Sequence, residues 1–201
     1  MEGLEVKWHA KDMYSKTTGI DNKYAAAVHE AAHAVIAVGQ GIDIGPEGVE
    51  IENREFTSLT LRSYAINRMP IVDLAGPLAE RKVLEREMQY VDDHELEEMI
   101  NNFKQFEPEE DEDMEHGVYP DDTSVLIFYQ SEFPDETTED WMNRFRQHEQ
   151  GTVGLLNEDR IWTAVLTFAD ELMKRGKVEQ EMAQKMIENS LRIINSDSSS
   201  V

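Results

Sequence analysis

The chain has 201 residues, 40% of them hydrophobic, with a formal net charge of −23. That composition supplies the core of one large domain, whereas the charge argues against a nucleic-acid partner, because phosphates need a positive surface to displace their counterions. The absence of cysteine rules out disulfides and thiolate metal ligands, so an ion would have to be held by His, Asp or Glu.

Residues 1–20 are polar and mixed, with Trp8 and Tyr14 as their only anchors, and read as a lead-in with little structure of its own. They contain no apolar signal core, and no run of about 18 apolar residues occurs anywhere. The expectation is therefore a protein with no membrane span, in the cytoplasm.

Tyr24 to Gly41, YAAAVHEAAHAVIAVGQG, reads as a helix, capped by Asp21 or Asn22 and ended by Gly39 or Gly41. It carries His29, Glu30 and His33 as HExxH. Residues four apart share a helical face, so His29 and His33 can offer two imidazole nitrogens to one ion. Glu30 stands beside the first of them, where it can hold a water activated by the ion and take its proton. Two imidazoles and a carboxylate on an otherwise apolar helix are costly to bury without such a partner.

Downstream, Val49 and Ile51 alternate with Glu50 and Glu52, and Phe56, Leu59 and Leu61 follow less regularly. This predicts two short strands of a small sheet, whose edge could accept an extended peptide through main-chain hydrogen bonds. From Asn67 the period turns helical, with Ile71, Leu74, Leu78, Val83 and Leu84 on one stripe and a kink or break expected at Gly76-Pro77. Asp92-Asp93-His94-Glu95 opens another helix, with Leu96, Met99, Ile100 and Phe103 at helical spacing. Residues 107–122 are acidic and turn-forming and read as a surface loop without the spacing of a calcium loop. VLIFY at 125–129 fits either a buried strand or the start of a helix. The remainder predicts two or three helices, then a last helix ending near 194 and a disordered tail over 195–201. The fold class expected is mainly α, a helical bundle around the HExxH helix with a small β-sheet, in one domain over 21–194.

A catalytic zinc site usually has three protein ligands and leaves a position for water, so a third donor is needed. The residues after His33, AVIAVGQGID, exclude the HExxHxxGxxH continuation. At this point the chain resembles the FtsH-type zinc peptidases: YAAAVHEAAHAVIA is similar to their YHEAGHA region, AGPLAERKVLE to their GGRAAEEL segment, and NEDRIWTAVLTFADELMKRGKVEQEMAQKMI to their closing helices. The resemblance spans roughly residues 22–190, with its specificity in the first motif. It implies a third ligand that is an aspartate at the start of the helix after the second segment, here within VDDHELEEMI. Asp92 shares a face with Leu96, Met99 and Phe103, Asp93 lies one position round, and Glu95 fits the residue order with one more methylene. Asp92 is preferred and Asp93 comes second.

The resemblance implies an ATP-independent zinc (Zn2+) metalloendopeptidase, since the chain has no GxxxxGK[ST] phosphate loop. Its substrates would be flexible or unfolded polypeptides, and its partners a ring of copies or an ATPase on a separate chain. HEAAH in place of HEAGH adds a methyl beside the site. The rival expectation is a catalytically silent metal-binding interaction protein that uses its acidic surface. A structural zinc site is a third, though such sites normally have four protein ligands.

Overall fold

A helix that is apolar on nearly every face has to be surrounded by other elements, and NKYAAAVHEAAHAVIAVG is such a helix. In the computed structural model, which describes residues 22–51, 69–105 and 121–197, it forms α1 (Asn22–Gly39). Ala27, Ala31, Ala32, Ala34 and Ala37 are fully buried along it. These small side chains let neighbouring backbones approach from several sides. The elements that follow are β1 (Val49–Glu50), α2 (Met69–Asp73), α3 (Ala75–Val83), α4 (Asp93–Gln105), α5 (Asp121–Glu132), α6 (Thr138–Leu156), α7 (Asp159–Arg175), β2 (Lys177–Val178) and α8 (Gln180–Asp197). The protein is mainly α with a small two-stranded sheet.

The principal packing partners of α1 are α7 and α3. On α7 the residues Ile161, Ala164, Val165, Phe168, Ala169 and Leu172 are buried at helical spacing, forming the apolar stripe that faces the core. α6 begins with a capping box: Thr137 accepts the Asp140 N–H, and the Asp140 carboxylate accepts the Thr137 N–H. Its other end is closed by Lys82, whose Nζ donates to the Leu156 carbonyl at 2.5 Å and to Asn157 Oδ1 at 3.0 Å. The Lys82 ammonium also sits 4.4 Å from the centroid of the Trp162 ring.

The break expected at Gly76-Pro77 is present just upstream, at Leu74, between α2 and α3. Pro77 has no N–H for the Asp73 carbonyl, and its ring crowds that carbonyl, so the helix cannot run on unbroken. β1 forms where alternation predicted a strand, but its partner is distant. It pairs antiparallel with β2, Val49 opposite Val178 and Glu50 opposite Lys177. Gly48 permits this pairing: it has φ +76°, and a side chain there would collide with the Val178 carbonyl oxygen. The second predicted strand, with Phe56, Leu59 and Leu61, lies outside the described residues. So do the lead-in, Asp21, and the acidic stretch up to residue 120.

Two boundaries differ from expectation. VLIFY is helical, and the helix starts at Asp121, inside the stretch expected to be loop. Two aspartates in a first turn suit the positive end of a helix, so the acidic run itself supplies the start of α5. At the other end, α8 extends to Asp197, into the expected tail.

Candidate metal centre

On α1, His29 and His33 project from one face a turn apart, with their Nε2 atoms 3.0 Å from each other and their rings edge to face. Asp121, the first residue of α5, places its carboxylate against both, Oδ2 3.1 Å from His29 Nε2 and Oδ1 3.5 Å from His33 Nε2. One donor atom from each residue lies within 4.8 Å of the other two. In a tetrahedral site with metal–ligand distances near 2 Å, donor atoms sit roughly 3.3 Å apart, so this spacing suits a single ion.

The opposite edge of each ring is anchored. His33 Nδ1 lies 2.7 Å from the Val72 carbonyl oxygen, an acceptor only, so Nδ1 carries a proton, and in the neutral ring the Nε2 lone pair is left for an ion. His29 Nδ1 lies 3.3 Å from Glu80 Oε2, and donation to that carboxylate has the same effect. Metal-binding histidines are held in this way by outer carboxylates and carbonyls, which fix the tautomer and raise ligand basicity. Glu30 is 2% exposed, with Oε1 3.8 Å from His29 Nε2.

The electrostatics favour a cation. Burial pushes the His29 pKa down, but hydrogen bonds to Asp121 and Glu80 and the charges of Asp121 and Glu30 outweigh it and hold the imidazole well above its usual value. For His33 burial also lowers the pKa and the charge of His29 lowers it further; the charge and hydrogen bond of Asp121, with Glu30, raise it on balance. Burial would raise the Asp121 carboxyl, yet the two histidines hold it well below the carboxylate range. Asp73, at the end of α2, goes the other way. Burial, with a smaller push from the Asp121 charge, lifts it to about 7 against the opposing pull of His33.

Sequence reasoning placed the third donor at Asp92 or Asp93, and the structure brings neither to the histidines. Asp92 turns back on its own helix as a cap, Oδ1 accepting the Glu95 N–H at 2.9 Å. Asp93 is bound by Arg146, whose Nη2 and Nε reach Oδ1 at 2.8 and 3.0 Å. Arg146 also holds the Val91 carbonyl and buried Glu149, and Glu149 in turn accepts the Tyr90 N–H. These contacts tie the start of α4 to α6. Glu95 is exposed. The face that α4 buries is the one bearing Leu96 and Ile100. The missed residues are Asp121 and Glu80; the available signal for Asp121 was an Asp-Asp pair followed by Thr-Ser and then an apolar run, the mark of a helix start.

Among the described residues no helix is long and apolar enough to cross a membrane. Comparison with protein-family models, curated proteins and solved structures returned no match.

Proposed function

We propose that the protein is a zinc-dependent peptidase acting on flexible or unfolded chains, with His29, His33 and Asp121 as ligands and Glu30 as general base. The observation that carries this reading is the convergence of three donors at tetrahedral spacing beside a buried glutamate. Two imidazoles and one carboxylate leave a coordination position open, as catalytic zinc requires. The same donors also suit ferrous iron; the carboxylate adjacent to the first ligand favours the hydrolytic ion, because hydrolysis needs a proton acceptor there. When bound, zinc supplies Lewis acidity to a substrate carbonyl and lowers the pKa of a water.

The chain's own residues do the rest. Glu30 accepts the proton of the attacking water and returns it to the departing amine. Val72 and Glu80 hold the two imidazoles in register, with Nδ1 protonated on each. Asp121 completes the donor set with a negative charge. Glu30 is not a ligand in this scheme, so Glu30→Gln should retain zinc and the fold. It should lose most cleavage of an unstructured polypeptide, by a factor on the order of 10² to 10⁴, and a chelator should suppress the wild type similarly. Zinc measured in both proteins, with no cleavage by either, would leave a metal-binding interaction protein.

A further inference from the structure

We propose that Gly76-Pro77 is a positioning device for the metal centre: the proline opens the α2–α3 helix so that its backbone can hold His33, and the glycine lets α3 lie against both imidazoles. This rests on the metal-binding reading of the site and extends it to two residues that touch no ion.

The hydrogen-bond ladder shows how the break is used. Leu74 N–H donates to the Pro70 carbonyl at 3.0 Å, and Leu78 N–H to the Leu74 carbonyl at 3.2 Å. Both are ordinary i to i−4 helical bonds. In a continuous helix the three carbonyls between, those of Ile71, Val72 and Asp73, would accept from residues 75, 76 and 77. Residue 77 is proline and has nothing to donate. The helix is interrupted at Leu74, between the carbonyls of α2 and their helical donors on α3. One carbonyl beside this break is met by a side chain from another helix. The Val72 carbonyl accepts from His33 Nδ1 at 2.7 Å. The break thus lies beside the acceptor that fixes the His33 tautomer.

Gly76 completes the arrangement. A Cβ on it would collide with His33 Nε2 and would lie 2.6 Å from both Cδ2 and Nε2 of His29. Real Cβ atoms do not approach other atoms so closely, and the atoms met include both nitrogens that would bind the ion. Glycine also suits the position ahead of a proline in a helical segment, where a Cβ would crowd the proline Cδ.

The test is Pro77→Ala in the full chain, read by zinc affinity in competition with a chromophoric chelator, by circular dichroism, and by the ¹⁵N signal of His33 Nδ1–H in chelator-treated protein. Alanine restores a donor for Asp73 and lets Gly76 N–H claim the Val72 carbonyl. Helix content should hold or rise, the Nδ1–H signal should move, and zinc affinity should fall about 10- to 100-fold, the usual loss when an outer-shell partner goes. Gly76→Ala, tested alongside, should lose at least as much zinc affinity. Wild-type affinity in either folded variant, or an unmoved His33 signal in Pro77→Ala, overturns the proposal. The NMR readout needs no metal, so a wild type that binds no zinc would sink the metal reading while the His33 signal still decides the role of the break.

Discussion

At the scale of single residues, three acids have different roles because of what surrounds each. Asp121 faces two imidazoles, Asp92 faces a backbone amide and Asp93 a guanidinium. Asp121→Asn should therefore remove stoichiometric zinc, as His29→Ala and His33→Ala should, because an amide is a poor donor to the cation. Asp92→Asn and Asp93→Asn should keep it, which metal analysis of the purified variants checks. The histidines were legible from their spacing alone, since a helix fixes which residues share a face. The third member of the cluster, Asp121, was not, because it comes from another helix and depends on tertiary packing. Protonation follows from the same contacts. In chelated protein, His29 and His33 have pKa values raised on folding, so their contribution is complete below the unfolded value of about 6.5 and disappears as pH rises through the raised values. Asp121 is depressed, so its contribution is present above about 3.9 and is lost as pH falls through the depressed value. The stability gap between chelated wild type and chelated Asp121→Asn should be widest between those limits and close on either side, as denaturant titrations across pH would show. Zinc affinity should rise with pH through the raised imidazole values, because the ion competes with protons.

At the scale of elements, α5 shows where pattern reading reaches its limit. A strand over 125–129 would bury alternate residues, Val125, Ile127 and Tyr129; the helix buries Val125, Leu126 and Tyr129 and leaves Ile127 38% exposed. A run of five apolar residues satisfies both descriptions, and only the neighbouring helices decide between them. Leu126→Ala should accordingly cost about 2 to 5 kcal/mol, and Ile127→Ala no more than about 1 kcal/mol, in chemical denaturation. The reverse order would mean that the segment is extended. α1, α7 and the Pro77 break were legible because each rests on a local cause: continuous apolar composition, a clean 3.6-residue stripe, or a missing N–H. β2 was not, because Lys177-Val178 is too short to carry a period, and its pairing is set by Val49 across most of the chain.

At the scale of the molecule, the centre ties together segments that are far apart in sequence. The donors come from α1 and α5, and the groups that hold the histidines come from α2 and α3. An ion that bound only the native arrangement would add stability by mass action, about 2.7 kcal/mol at a free concentration a hundred times its dissociation constant. Asp121 reaches the α1 histidines only after the intervening helices have folded back on α1, since it enters from the first turn of α5. If a contact that closes so long a loop forms at the end of folding, a bridging ion would act as a latch on the way out. Removing zinc should speed unfolding in stopped-flow experiments by nearly the whole stability change and leave refolding within about twofold. A matching slowdown of refolding would instead place the α1–α5 contact in the folding nucleus.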